Sequence, residues 1–434
     1  MNIPHKTYIR YNSVIGVGVL LFFGMNVFTN AVSLIPSELY YRVLLLVELI
    51  LAGGTILVSR RLTKKSFQTA VLIISVQILS YTFTTLMSGY VCLDLHRLLS
   101  MVLMILAMYY IPFHSYITRR FFERFLNGIL LGGLLSIVYN MILNWQVIGS
   151  FNMSLIMVNT FKFKAIFLTR SNFCLLLCIS SAICIYRRKK NTLFYSILLL
   201  IFTGNILLTN ARTSILAVLA MFLYEIWNGK RGKRRKILLI LIGGVILCFM
   251  PWNAIIEKIS TFVKEYPLLF VRNNSDITNG RLGLWKDALE GTNFLSVFIG
   301  HGIGAKDAYL SSLGSEYGSF HSMYVDLFFE GGFFLLSLFF FFIMTVIRSI
   351  KKSNLNFNNK KLFFELFIVI GVSGFGDAIA TPFLLDTSSL LATLLLFTCP
   401  ITLINGIKEN PQIDKIYRKE YLTRAKDGEK AVCM

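Results

Sequence analysis

The sequence predicts an all-α polytopic membrane protein, and its composition carries that prediction. Of the 434 residues, 55% are hydrophobic and only 15% are charged, and the mean hydropathy is +0.66. A water-soluble protein of this size needs far more charge on its surface. The 8 prolines leave long helices largely uninterrupted, and the 14% aromatic content suits lipid-facing helices and interfacial belts. We therefore expect a helical bundle in lipid, and not a barrel.

Apolar runs of about 20 residues, the length needed to cross a bilayer, recur along the whole chain. The first follows Lys6 and Arg10 without a small-residue cleavage site, so we interpret it as a retained helix and not as a signal peptide. We predict about 12 transmembrane helices in one membrane domain covering 1–434. The predicted spans are 13–34, 39–58, 67–90, 98–114, 125–145, 165–186, 192–209, 213–228, 236–252, 321–347, 362–382 and 386–405.

The net charge of +21 reflects short basic clusters in alternate loops. Nucleic-acid binding would need a continuous basic face, whereas this alternation follows the positive-inside rule. We therefore place both termini, and the tail at 406–434, in the cytoplasm. The basic clusters are RRLTKK at 60–65, RR at 119–120, RRKK at 187–190, KRGKRRK at 230–236 and the 348–361 linker.

The same alternation places the segment 252–320 outside the cytoplasmic membrane, as one large loop between the ninth and tenth helices. Its first part predicts an interfacial helix, because apolar residues between Ile255 and Tyr266 repeat at helical spacing. A second helical turn joins Arg281 and Trp285 on one face. A glycine-rich turn, GHGIG at 300–304, follows.

Three arginines are candidates for binding a phosphate group on the outer side. Arg170 begins the sixth predicted helix, Arg212 lies in the turn TNARTS, and Arg281 lies in the large loop. Guanidinium stays charged and binds phosphate oxygens in a bidentate manner, so three such groups would suit a lipid pyrophosphate. Alternatively, each arginine extends to the interface or pairs with a loop carboxylate.

His321 is the candidate general base, since an imidazole at the start of the tenth helix can accept a proton from a sugar hydroxyl. It can equally be a hydrogen-bonding residue at a helix start. His301 is flanked by glycines, which favours a structural role. GHGIG followed by Lys306 superficially matches a nucleotide loop, but no strand precedes it.

The remaining polar residues are weaker candidates for a functional site. The cysteines lie mostly in apolar segments without polar metal ligands nearby, and no acidic constellation suggests a metal site, so neither a metal nor a cofactor is expected. Local pairing is the default for Asp377, which lies near the last outer turn, and for Glu330. Glu48 and Asp377 could instead mark a polar pathway, which a transporter would need.

Four segments, in this order, resemble bacterial O-antigen polymerases and ligases. TNARTS resembles the family's turn with Arg212 as its arginine, although Ala211 stands where serine is usual. NGRLGLWKDALEG matches Arg281 and Trp285 to the family's R-x3-W element. FIGHGIG resembles a family glycine turn, and FHSMYVDLFFEGGFF matches His321, Tyr324 and Glu330, with Ser322 in place of the usual asparagine; Arg170 in TRSN is similar to an earlier family arginine.

The resemblance implies a GT-C-like membrane glycosyltransferase that uses undecaprenyl-pyrophosphate-linked oligosaccharides and needs no cofactor. It implies pyrophosphate binding by Arg170, Arg212 and Arg281, and catalysis by His321 with Arg212 and Arg281. Trp285, His301, Tyr324 and Glu330 would support the site.

The matched motifs do not separate a polymerase from a ligase. The composition, rich in Asn, Lys and Ile, makes repeat-unit polymerisation into O-antigen or capsular polysaccharide, by inverting transfer at the outer face, the first choice. Besides the lipid-linked substrate and membrane lipids, a chain-length regulator and a flippase are expected partners, and nucleic acid is not. Two alternatives stay open: a ligase that transfers polymer to lipid-A core, and a lipid-linked oligosaccharide flippase. The latter also fits about 12 helices but gives the large outer loop no purpose.

Overall fold

The computed structural model describes residues 9–10, 112, 115–149, 163–165, 167, 169–228, 281–302, 304–315, 318–377 and 391–409. Five predicted spans, namely 13–34, 39–58, 67–90, 98–114 and 236–252, lie outside the described residues, Pro112 excepted. The predicted interfacial helix that begins at Ile255 also lies outside them. The other seven predicted spans each overlap a described helix.

The described residues are almost entirely helical. The exception is a two-residue parallel pair, in which β1 (Ile9–Arg10) aligns with β2 (Ser115–Tyr116). The helices are α1 (Arg119–Leu143), α2 (Trp145–Gly149), α3 (Arg170–Arg187), α4 (Thr192–Leu208), α5 (Arg212–Asn228), α6 (Arg281–Glu290), α7 (Phe294–Ile299), α8 (Ala305–Ser312), α9 (Met323–Lys352), α10 (Phe357–Gly376) and α11 (Cys399–Glu409), the last preceded by a π-helical segment at Leu394–Thr398.

Three helices in this part of the chain are long and apolar enough to cross a membrane: α1, α9 and the continuous helix Leu391–Lys408. A shorter apolar helix, α4, has 17 residues. Large apolar side chains on α1 and α4 point away from the protein, with Leu135 60% and Leu200 71% exposed. Such surfaces are stable in lipid and costly in water, so the chain is an integral membrane protein.

Helix α3 is the centre of the bundle. Its residues from Asn172 to Arg187 are buried on every side, as expected for a helix whose sequence is apolar all round. It packs against α1, α4, α5 and α10. The Thr169 hydroxyl accepts a hydrogen bond from the Asn172 amide and caps the helix where it begins.

Basic segments that are far apart in sequence meet at one end of this bundle. Lys189, just after α3, donates to Asn358 at the start of α10, and Lys360 donates to the Lys351 carbonyl near the end of α9. Arg187 pairs with Glu123 of α1 at 3.0 Å. Since the helices run antiparallel, the start of α3 and the end of α10 lie at the opposite end, with the turn between α4 and α5.

Helix α9 is interrupted at Gly332, whose φ of +61° is left-handed. A side chain there would overlap the backbone of Phe298 in α7, so glycine allows α7 to pack directly against α9. The carbonyls of Phe329 and Glu330, just before the interruption, accept hydrogen bonds from the amides of His301 and Gly302. The predicted glycine-rich turn is therefore anchored on α9.

Candidate functional site

Asp377, the residue after α10, joins elements from three parts of the chain. Its carboxylate lies 3.2 Å from the Arg281 guanidinium at the start of α6. It also accepts a hydrogen bond from the Thr213 hydroxyl of α5, at 3.2 Å. The side chain of Asp377 is 11% exposed, so these charged and polar contacts lie in a largely enclosed place at the end opposite the basic segments.

His321 contacts the same carboxylate. Its Nδ1 lies 3.8 Å from Asp377 Oδ1, and its side chain is 33% exposed. The sequence predicted that His321 begins a helix, but α9 begins at Met323 with Ser322 as its N-cap. His321 instead adopts a left-handed φ of +53°, which is uncommon for a residue other than glycine. The conformation turns the chain sharply before α9.

Arg212 lies next to Thr213, at the first position of α5. Burial lowers the pKa of Arg212, and the positive charges of Arg281 and Arg170 lower it further. An arginine remains protonated at any physiological pH, so this effect reports proximity and not loss of charge. Arg212 therefore lies within electrostatic range of both Arg281 and Arg170.

Arg170 reaches this region from the first position of α3. Its guanidinium donates to the Thr209 carbonyl at 3.1 Å, in the turn that leads to Arg212. The Thr209 hydroxyl in turn lies 3.0 Å from the thiol sulfur of Cys174, one turn along α3. Arg170 is thus held against the turn TNARTS.

Trp285 links Arg281 to His321. It lies one helical turn after Arg281 in α6, and its indole Nε1 donates to the Phe320 carbonyl at 2.9 Å. Phe320 immediately precedes His321 and is fully buried. The R-x3-W spacing therefore places the arginine at the site and the tryptophan on the backbone that supports the histidine.

The other predicted supporting residues contact the scaffold around this site. His301 is buried and stacks on Phe329, with ring centroids 4.5 Å apart, and burial lowers the pKa of His301. The Tyr324 hydroxyl donates to the Gly371 carbonyl of α10 at 3.0 Å. The Glu330 carboxylate accepts from the Gly304 amide at 3.1 Å.

Asp377 and Thr213 are the members of the site that the sequence did not assign to it. Asp377 was interpreted as a locally paired residue or as part of a transport pathway, and Thr213 was not singled out. One signal was available: Asp377 lies near the outer end of the predicted span 362–382, on the side predicted for the three arginines. A carboxylate at the same depth in the membrane can act as the counter-ion of these arginines.

Residues 197–340 match the protein family described as O-antigen ligase, Wzy_C. This range covers about a third of the chain and includes Arg212, Arg281, Trp285 and His321, while Arg170 and Asp377 lie outside it. The search of curated proteins gave no match. From residue 197 to residue 340, the chain therefore carries a domain of the O-antigen ligase and polymerase superfamily.

Proposed function

We propose that the protein is a membrane glycosyltransferase that joins undecaprenyl-pyrophosphate-linked oligosaccharide repeat units into O-antigen or capsular polysaccharide. The observation that carries the proposal is the Asp377 carboxylate, which lies beside both Arg281 and His321. It brings a cationic group suited to a leaving pyrophosphate and a base suited to a sugar hydroxyl into one site. The domain match supports a reaction on lipid-linked saccharides.

The arginines bind the donor's pyrophosphate in this proposal. Among the residues that the structure describes, Arg170, Arg212 and Arg281 bring three positive charges to the one negative charge of Asp377, which favours binding of a dianionic group. The bond between the donor's anomeric carbon and the pyrophosphate oxygen breaks, and the electron pair leaves with the carrier pyrophosphate. The guanidinium groups stabilise the charge that grows there.

His321 accepts the proton of the attacking hydroxyl. As the acceptor oxygen forms its bond to the anomeric carbon from the face opposite the pyrophosphate, the configuration inverts and the proton moves to the imidazole. The Asp377 carboxylate stabilises the positive charge that the imidazole gains. A base positioned in this way typically accelerates a reaction by about 10²- to 10⁴-fold.

The site lies on the outer side of the cytoplasmic membrane in this proposal. It is at the bundle end opposite the basic segments, which the positive-inside rule assigns to the cytoplasm. The remaining parts of the predicted architecture, namely about 12 spans in a GT-C-like arrangement, the large outer loop at 252–320 and the cytoplasmic tail at 406–434, belong to the same proposal. A chain-length regulator and a flippase are its proposed partners.

Transfer of polymer to lipid-A core is the second candidate function, because the matching family is described as O-antigen ligase. The two reactions share the donor, the leaving group and the proposed base, and they differ only in the acceptor. The acceptor is another lipid-linked repeat unit in a polymerase and a core sugar in a ligase. Choice of acceptor is therefore the property to measure.

Reconstitution of the purified protein with lipid-linked repeat units tests the proposal. A polymerase forms a ladder of lengthening saccharides and releases carrier pyrophosphate. A ligase forms no ladder and labels lipid-A core when both substrates are supplied. A protein that forms neither product and instead moves the lipid-linked unit across the bilayer is a flippase, and that result would refute the proposal.

A further inference from the structure

Lys306 of α8 forms a buried ion cluster with Asp326 and Glu330 of α9. Phe320 connects this cluster to the proposed site. The Lys306 ammonium lies 2.9 Å from the Asp326 carboxylate and 3.8 Å from that of Glu330. The three side chains are 7%, 0% and 4% exposed. Burying charges is costly, and an apolar cluster of the same size is often at least as stable. The arrangement therefore calls for a reason other than stability.

Asp326 connects this cluster to the backbone beside His321. One of its oxygens, Oδ2, accepts from Lys306, and the other, Oδ1, accepts from the Phe320 amide at 3.0 Å. Asp326 thereby fixes the Ser319–Phe320 peptide group, which immediately precedes the peptide group between Phe320 and His321. A left-handed φ at a residue other than glycine costs about 1 to 3 kcal/mol and persists only where the surroundings enforce it.

Phe320 is held on three sides. Its amide donates to Asp326, its carbonyl accepts from Trp285, and its ring packs with those of Phe329 and Tyr309. Of these contacts, only the hydrogen bond from the Phe320 amide has an ionised partner, the Asp326 carboxylate. Hydrogen bonds to ionised groups are about twice as strong as neutral ones, so Asp326 is the dominant restraint.

Glu330 closes the cluster on the other side. Its carboxylate accepts from the Gly304 amide, and its backbone carbonyl accepts from the Gly302 amide. These bonds fix the turn from which Lys306 extends. Burial would lower the pKa of Lys306, but the carboxylates of Asp326 and Glu330 outweigh it and raise that pKa. Lys306 therefore stays charged and keeps Asp326 in place.

We propose that Lys306 and Asp326 are positioning residues, which hold Phe320 so that the imidazole of His321 faces the Asp377 carboxylate. This proposal rests on the catalytic role of His321 proposed above. It assigns a purpose to the GHGIG turn and its lysine, which the nucleotide-loop interpretation did not supply. Neither residue contacts the substrate in this account, and each acts through the Phe320 amide.

Two double variants separate positioning from simple charge balance. Lys306→Met leaves a buried carboxylate without its cation, so kcat should fall about 10- to 100-fold while KM for the lipid-linked donor stays unchanged. Lys306→Met with Asp326→Asn removes one charge of each sign from the cluster and keeps an oxygen acceptor for the Phe320 amide, so kcat should recover to within about threefold of wild type. Lys306→Met with Asp326→Leu removes the same two charges but leaves no acceptor for the Phe320 amide, and kcat should remain low.

Equal recovery of kcat in both double variants would overturn the proposal, because the hydrogen bond would then be dispensable. If the leucine variant fails to fold, Lys306→Met is introduced into a His321→Ala background. There it should not lower the residual rate further, since its effect passes through the histidine. A loss by the same factor as in the wild-type background would contradict positioning.

Hydrogen exchange at the Phe320 amide tests the geometry without any reaction. Mass spectrometry of the peptide around residues 318–323 should show protection in the wild type and in the asparagine double variant. Exchange should be at least about 10-fold faster in the leucine double variant. If the three proteins show this pattern of exchange but the wild type joins no saccharides, the proposed function alone is refuted. Equal exchange in all three proteins would refute the positioning role alone.

Discussion

The Arg281 guanidinium lies 3.2 Å from the Asp377 carboxylate, although 96 positions separate the two residues in the sequence. The same carboxylate oxygen, Oδ1, lies 3.8 Å from Nδ1 of His321. A single aspartate therefore links the part of the site that suits a pyrophosphate to the part that suits a sugar hydroxyl. The first prediction follows from this arrangement.

Replacing Asp377 by Asn should lower kcat about 100-fold, toward the lower end of the effect of a positioned base. The amide keeps an oxygen for the Thr213 hydroxyl, but it removes the charge that pairs with Arg281 and stabilises a protonated His321. Release of carrier pyrophosphate under saturating donor measures the change. If kcat stays within about twofold of wild type, Asp377 has no electrostatic role in turnover.

Replacing Arg212 by Lys should raise KM for the lipid-linked donor about 10-fold, because an ammonium keeps the charge but loses the bidentate geometry that fits a phosphate. Initial rates over a range of donor concentrations give the change. The matched control is Lys286→Met on the helix that carries Arg281. Lys286 is 73% exposed and pairs with Glu290 of its own helix, so its loss should leave KM unchanged. An equal rise in both variants would indicate a general effect of surface charge.

Replacing Trp285 by Phe should lower the free energy of unfolding by about 1 kcal/mol, the usual contribution of one hydrogen bond. The ring is kept, but the Phe320 carbonyl loses its indole donor. Because that carbonyl precedes His321, we also expect kcat to fall, about 10-fold. Denaturant unfolding in detergent and the rate assay measure the two effects. Unchanged turnover in a destabilised variant would confine Trp285 to a structural role.

Replacing His301 by Phe should preserve turnover and reduce the loss of stability on acidification. Burial lowers the folded-state pKa of His301 below the ordinary value of 6.5. The unfolded chain therefore binds the proton more tightly, and stability falls as the pH drops below about 6.5. Phenylalanine keeps the ring packing on Phe329 without this titration. Thermal unfolding at several pH values tests the prediction, and identical acid slopes in the two proteins would contradict it.

The sequence predicts a shared side of the membrane for Arg170, Arg212 and Arg281, and that prediction rests on topology alone. Once the apolar spans are identified, alternate loops lie on the same side, and charges at the ends of those spans must share one surface. The helical spacing of Arg281 and Trp285 was likewise readable, since residues four apart lie on one face. The structure confirms helix α6 over that segment.

Other features depend on contacts that a single sequence does not encode locally. The pairing of Asp377 with Arg281 joins residues 96 positions apart, and no periodicity relates them. The left-handed backbone of His321 follows Phe320, whose backbone bonds to Trp285 of α6 and Asp326 of α9. The sequence pattern shows none of these contacts and therefore places the helix start two residues too early. The short helices α7 and α8 also escaped prediction, because Phe294–Ile299 and Ala305–Ser312 are too brief to show a periodic pattern.

The two histidines near the site provide the most direct test of the central claim, which is that His321 is the base beside a pyrophosphate-binding arginine cluster. The measurement is the single-turnover rate of saccharide transfer from a bound lipid-linked donor, in His321→Gln and in His301→Gln. We predict a fall of about 10²- to 10⁴-fold for His321→Gln, with donor binding retained, and a change within about threefold for His301→Gln. A His321→Gln protein that transfers saccharide at the wild-type rate would contradict the account.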